Sequence, residues 1–201
     1  MKKVIDLLRE AIEILELELE KPFEAKVELS TLKAGDAFET SFGEMIVLDN
    51  FEEKTLVITK GFVSDGRKFD EESPNFAESD ISEYLSGEVL KMFENEFGEE
   101  NIDEHITDVF SVDMQKYDSY MGKIRLLTFD EARKYNELIV NEELPKWWWT
   151  MTPWSTKKRG WDYSVAVVSP SGDVSSRECY DGRGVRPVCI LKSNIFVSKK
   201  N

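Results

Sequence analysis

Along the first twenty residues apolar side chains recur at alternating intervals of three and four: Ile5, Leu8, Ile12, Leu15 and Leu19. That period places them on one side of an α-helix, and Pro22 stops it because proline has no amide hydrogen to donate. Val4, Leu7, Ala11, Ile14 and Leu17 widen the apolar surface beyond a narrow seam. Two packings satisfy such a surface: docking on the chain's own domain, or pairing with a second copy to make a homodimer.

Beyond Pro22 the period shortens to two. Glu24–Leu29, Asp36–Thr40, Met45–Leu48 and Thr55–Thr59 read as short strands, separated by Gly35, Gly43 and the polar turn at Glu52–Lys54. The polar run Ser64–Asn75, with Gly66 and Pro74, reads as a loop. Asp80 with Glu83, and Thr128 with Glu131, have the spacing of a capping box. Each opens a predicted helix, the first burying Ile81, Tyr84, Leu85, Val89, Phe93 and Phe97 and ending at Gly98. The second buries Phe129, Ala132, Tyr135 and Ile139. His105–Val112 fits an irregular strand. Further on, Trp161, Tyr163, Val165 and Val167 alternate, Pro170–Asp173 reverses the chain, and Val185–Leu191 supplies a closing strand. The fold class is α+β, with two helices and antiparallel sheets in one domain over residues 26–201 and an amphipathic helix over 1–25.

Forty-one per cent apolar residues, including 12 Phe, 6 Tyr and 5 Trp, supply enough bulk for one core in a chain of 201 residues. No stretch approaches the roughly 18 uninterrupted apolar residues of a membrane helix, and the glutamates of the first segment exclude a signal peptide. Cytoplasmic location in a host cell is the expectation. Two cysteines, Cys179 and Cys189, are too few for a disulfide scaffold and read as core residues, and a single histidine, His105, leaves no zinc-ligand spacing. No metal and no cofactor are expected.

The net charge of −14 is unevenly spread. Residues 1–145 carry 36 acids and 16 bases, a balance of −20, whereas 146–201 carry 4 acids and 10 bases, a balance of +6. That field disfavours direct nucleic-acid binding and favours a basic protein partner. The acids concentrate in residues 70–104, 13 of them against Lys91 alone. Asp70, Glu71, Glu72, Glu94, Glu96, Glu99, Glu100, Asp103 and Glu104 are the candidate acidic surface. Their carboxylates accept Lys and Arg hydrogen bonds much as phosphate oxygens do. The competing account is a solvated helix face.

A second candidate surface is aromatic and basic: Trp154 and Trp161 beside Lys157, Lys158 and Arg159. In the preceding Trp147-Trp148-Trp149 run, a strand would put Trp147 and Trp149 on one face and Trp148 on the other, which points to packing. In Tyr180–Pro187, Gly182 and Gly184 suit a tight turn at positive φ. Pro187 fixes the strand that follows, and Arg186 is held against a buried carboxylate or an indole face. Trp147, Trp148, Trp149, Gly184, Arg186 and Pro187 are therefore read as structural.

Leu32–Asp36, Tyr84–Glu88, Leu126–Glu131, Trp147–Trp149 and Gly184–Pro187, in this order, resemble an uncharacterised domain family frequent in Firmicutes genomes and their prophages, over about residues 31–197. Its Trp-Trp and Val-Arg-Pro strands are similar to the closing sheet of the C-type-lectin-like fold, which phage receptor-binding proteins and formylglycine-generating enzymes share. Calcium-dependent sugar binding is not implied, since only Trp161-Asp162 matches that pattern; an oxidase would use Cys179 and Cys189. No phosphate loop, nucleophile elbow or metal motif accompanies them, and His105 has no evident nucleophile. The expectation is a non-catalytic, prophage-type binding protein. It would block a basic nucleic-acid-binding host defence protein, such as a nuclease, by nucleic-acid mimicry in the manner of an anti-CRISPR. The alternatives are a lectin-like ligand- or receptor-binding module and, third, an oxidase.

Overall fold

The computed structural model describes residues 26–200. The predicted amino-terminal helix, and its role in dimerisation, lie outside the described residues. In chain order the strands are β1 (Lys26–Glu28), β2 (Ala37–Thr40), β3 (Gly43–Phe51), β4 (Lys54–Thr59) and β5 (Ser64–Arg67). Two helices follow, α1 (Asp80–Tyr84) and α2 (Leu90–Phe97), joined by a π turn (Leu85–Val89). Next come β6 (His105–Phe110), β7 (Lys116–Gly122), β8 (Ile124–Arg125), and short helices α3 (Phe129–Lys134) and α4 (Asn136–Ile139). The chain closes with β9 (Trp148–Pro153), β10 (Ser164–Val168), β11 (Val174–Glu178), β12 (Arg183–Val185), β13 (Val188–Lys192) and β14 (Phe196–Lys199).

A seven-stranded antiparallel sheet in the order β1-β14-β2-β3-β4-β13-β8 is the spine. Its central strands are apolar on both sides. Met45, Val47, Val57, Cys189 and Leu191 join a core with α1, α2 and the second sheet, whereas Ile46, Leu48, Leu56, Ile58, Val188 and Ile190 face α3 and α4. Burial on both faces explains why these strands are near-continuous apolar runs rather than alternating ones. The second sheet, β11-β10-β9-β12-β5, is antiparallel except for one parallel contact between β12 and β9. β6 and β7 form a separate two-stranded ribbon. The terminal strands β1 and β14 pair antiparallel, so both ends of the described chain lie in one sheet.

Several local expectations change. The first helix is capped by Ser79, whose hydroxyl accepts the Ser82 amide, instead of by Asp80. The second has the reciprocal Thr128–Glu131 capping box, then breaks at Tyr135 into two short helices. Ser64–Arg67 forms the edge strand β5 within the expected loop. The widened turn of the first helix includes Ser86 and Gly87, both weak helix formers. In β10 every residue is buried, so the expected alternation is absent, and Trp161 and Tyr163 precede the strand. The closing strand is two, β12 and β13, in different sheets. Pro187 between them has no amide hydrogen to continue a ladder, and the chain switches sheets there.

Candidate functional site

The acidic tract does not form one continuous wall. Asp70 accepts the amides of Glu72 and Ser73, both at 2.8 Å, and of Asp80 at 3.1 Å, pinning the loop to the start of α1. Glu71 pairs with Lys68 at 2.7 Å, and Asp103 with Lys54 at 2.8 Å. Glu96 accepts the amide and hydroxyl of Ser41, binding α2 to the β2–β3 turn. Glu72, Glu100 and Glu104 are exposed and form no ion pair among the described residues. The nine candidates are thus divided between internal ties and free surface.

What the fold assembles instead is a groove of about 520 Å³ between α1–α2 and the β7–β8 segment. Glu78, Glu83, Glu94, Glu99 and Glu104 line it, against the single cation Lys123. Lys123 Nζ lies 3.4 Å from both Glu94 and Glu99. Burial disfavours its charge, but those two carboxylates outweigh that and hold the ammonium above its ordinary pKa. Ser79, Ser82 and Ser86 also line the groove, and each hydroxyl donates to a helix carbonyl at 2.9 Å, leaving oxygen lone pairs as acceptors. Ala77, Leu90 and Ile124 supply apolar surface. The lining is rich in acceptors and poor in donors, which suits ammonium and guanidinium groups.

Glu94, Glu99 and Glu104 belong to the candidate acidic surface; Glu78 and Glu83 belong to the acidic tract but not to that surface, and the serines and Lys123 to neither. A signal was present: Ser79, Ser82, Glu83, Ser86, Leu90 and Glu94 follow helical spacing along one edge of the apolar stripe. The opposite wall, β7, had none, because Lys116–Gly122 is mostly polar and exposed.

Trp154 is half-buried and Trp161 exposed, with ring centroids 6.4 Å apart. Lys157, Lys158 and Arg159 form one 3₁₀ turn, ended by Gly160 in the left-handed region at φ 80°. Arg159 is engaged by Asp113. Hydrogen bonds from Ser111 and Ser155, with Arg159 beside them, outweigh desolvation and hold that carboxyl at about 2. Tyr163 and Tyr180, not singled out from sequence, are exposed with rings 6.1 Å apart.

Trp148 and Trp149 are fully buried, in different cores, and Trp147 is half-buried on the Trp149 side beneath Arg177. Arg186 is fully buried against the Trp148 indole at 4.9 Å and donates to the carbonyls of Thr59 and Ile139 at 3.0 and 2.7 Å. The indole face, not a carboxylate, is its partner. Burial lowers its pKa to about 9, so it stays charged at neutral pH. Neither Gly182 nor Gly184 has positive φ, contrary to expectation. Both are glycine for closeness. A Cβ on Gly182 would lie 2.6 Å from the Gly66 carbonyl oxygen, and one on Gly184 would run into the Phe62 ring. Pro187 is buried beside them.

His105 is half-buried; its Nε2 accepts a hydrogen bond from Arg125 at 3.0 Å. Cys179 and Cys189 are buried, which pushes the Cys179 thiol to about 11 and that of Cys189 higher still. Among the described residues no His, Cys, Asp or Glu side chains are grouped to hold a metal, and no helix is long and apolar enough to cross a membrane.

Residues 106–193 match a family described as a domain of unknown function, DUF6273. The matched segment runs from β6 through β13 and is narrower than the resemblance read over 31–197. It contains the ribbon wall of the groove but not α1 and α2. No curated protein and no solved structure matches the chain.

Proposed function

We propose that this protein is a non-catalytic recognition module that binds a basic macromolecule through the groove between α1–α2 and β7–β8. The observation that carries the reading is five carboxylates facing one lysine across a cleft of about 520 Å³, within the roughly 300–1,000 Å³ typical of ligand-holding clefts. Glu78, Glu83 and Glu104 are exposed, so their individual ion pairs are worth at most about 1 kcal/mol each; steering and summed contacts give the selectivity. The partner is a nucleic-acid-binding host protein, such as a defence nuclease, whose phosphate-binding Lys and Arg residues the groove occupies. A prophage-encoded inhibitor fits that role. Because Asp70, Glu96 and Asp103 are tied internally, inhibition works through a few cationic side chains seated in a groove and not through a broad phosphate-like array.

The test is binding of a purified basic DNA-binding protein at low and moderate salt, to the wild type and to the triple variant Glu78→Gln, Glu83→Gln, Glu104→Gln. Affinity should fall steeply with salt and by about tenfold or more in the variant, with unchanged melting temperature. Binding indifferent to both would refute the reading.

A second reading is favoured by the exposed rings of Trp161, Tyr163 and Tyr180, which suit a lectin-like ligand- or receptor-binding surface on a C-type-lectin-like fold. Glycan titrations followed by tryptophan fluorescence, with and without calcium, distinguish it. An oxidase reading is weakened by the burial of both thiols, and retained function after their alkylation would remove it.

A further inference from the structure

The ribbon wall of the groove has an open edge. β7 pairs with β6 alone, in the register Ile106–Met121, Thr107–Tyr120 and Asp108–Ser119, and among the described residues no backbone group of Ser119–Gly122 bonds to any other segment. In an antiparallel pair, alternate residues point both amide and carbonyl away from the partner strand. Half of this stretch therefore presents unpaired backbone groups to the far side. That side is the groove. Tyr120, Met121, Gly122, Lys123 and Ile124 line it consecutively, whereas the face of a strand would contribute every second residue.

Edges of this kind are normally blunted by shortness, charge, proline or a bulge. Here β1 has three residues and β8 two, and β5 carries Asp65 and Gly66. Ser119–Gly122 has neither charge nor proline, and the bulge in the ribbon lies further along, between Asp108 and Phe110. On the outer face, Ile106 and Met121 sit directly opposite each other and are 68% and 65% exposed. An added strand would extend that apolar pair with its own residues on one side and direct alternate residues toward the carboxylates on the other.

We infer that the groove takes its partner as an added β-strand on the open edge of β7, the occupant being an extended protein segment in which Lys or Arg alternates with apolar residues. This rests on the reading of the groove as a site for a basic macromolecule and narrows the partner's chemistry. The segment is short. Asn75 donates to Asp118 at 2.8 Å and closes one end of the edge, leaving four residues, roughly 13 Å at about 3.3 Å per residue.

The test uses the full chain with four synthetic peptides built from the same Lys and Val residues. One alternates Lys and Val, one separates them into blocks, and two are the alternating peptide N-methylated at every second amide, one in each phase. Fluorescence anisotropy and amide hydrogen exchange are the readouts. The alternating peptide should bind at least tenfold tighter than the block peptide and slow exchange within Ser119–Gly122. N-methylation should abolish binding in one phase only. Equal affinities without protection in β7, while the triple glutamine variant still weakens binding, would overturn strand addition and leave the groove reading standing. Protection in β7 that ignores salt and the glutamines would support strand addition and overturn the charge reading. No binding by any peptide would overturn both.

Discussion

Replacing Arg125 by Met should be among the most damaging single changes in the molecule, because Arg125 ties three elements together inside the protein. Its side chain is 5% exposed and forms two parallel bonds to the Glu131 carboxylate, at 2.7 and 2.6 Å. Its Nε donates to His105 of β6, and its Nη1 to the Leu126 carbonyl at 3.0 Å. Glu131 in turn accepts the Thr128 amide at 2.9 Å and completes the cap of α3. Methionine would fill much of the volume but leave a mostly buried carboxylate unmatched. Removing one member of a buried ion pair costs about 3–5 kcal/mol. At about 2–4 °C per kcal/mol for a chain of this size, the melting temperature should drop by roughly 10 °C.

Sign and pH dependence follow from Glu131. Burial alone would raise its pKa, but the hydrogen bonds and charge of Arg125 more than offset this and hold it below the ordinary value. Without Arg125 burial dominates. The carboxyl then titrates higher in the folded state than in the unfolded one, so the deficit of the variant should be smallest in acid and grow as pH rises above about 4.5. Adding Glu131→Gln should recover part of the loss, since the amide oxygen still accepts the Thr128 amide without a charge to bury. The assay is thermal unfolding by circular dichroism at pH 4.5 and 7.5. A drop below about 2 °C at pH 7.5, or a double variant no better than the single, would show that the network is not the tie described.

Three further outcomes can be checked. Burial and the adjacent Arg125 depress the pKa of His105, so its contribution is complete above the unfolded value of about 6.5 and is lost as pH falls toward the folded one. The melting temperature should decline between pH 7.5 and 5, and His105→Gln, whose oxygen can accept from Arg125, should flatten that slope; an unchanged slope would remove His105 as the cause. Gly182→Ala should destabilise by about 1–3 kcal/mol, because its Cβ meets backbone, the Gly66 carbonyl at 2.6 Å, which cannot swing aside. Unaltered chemical denaturation would contradict the contact. Both thiols, buried and with raised pKa, should resist a thiol-specific reagent in the native protein and react at once in guanidinium. Rapid native labelling of either would count against that burial.

How much was legible in the sequence follows from where each feature's cause lies. The helix starting beside Asp80 and the one at Thr128 were readable because 3.6-residue periodicity is local, as is the Thr128–Glu131 capping box, although the first helix takes its cap from Ser79. Strands β3 and β4 were readable as apolar runs, and β2 as a short segment, between turn residues. The positions of Trp148 and Trp149 in separate cores follow from the alternation of a strand, which the sequence carries. What local pattern could not supply was partnership. The split at Pro187, the glycines kept by neighbouring backbone and ring, and the choice of the Trp148 indole over a carboxylate for Arg186 all depend on what long-range pairing brings alongside.

The candidate site shows the same division. Composition alone determined that residues 70–104 are densely acidic and that an approaching cation would be attracted. Only the tertiary structure decided which carboxylates are spent on Lys54, Lys68, Ser41 and the α1 cap, and which line a groove whose other wall, β7, comes from a segment more than fifteen residues further along the chain. Charge is a property of each residue and survives any folding. A cleft is a relation between segments, and it exists only once the backbone has brought α1–α2 and β7 face to face.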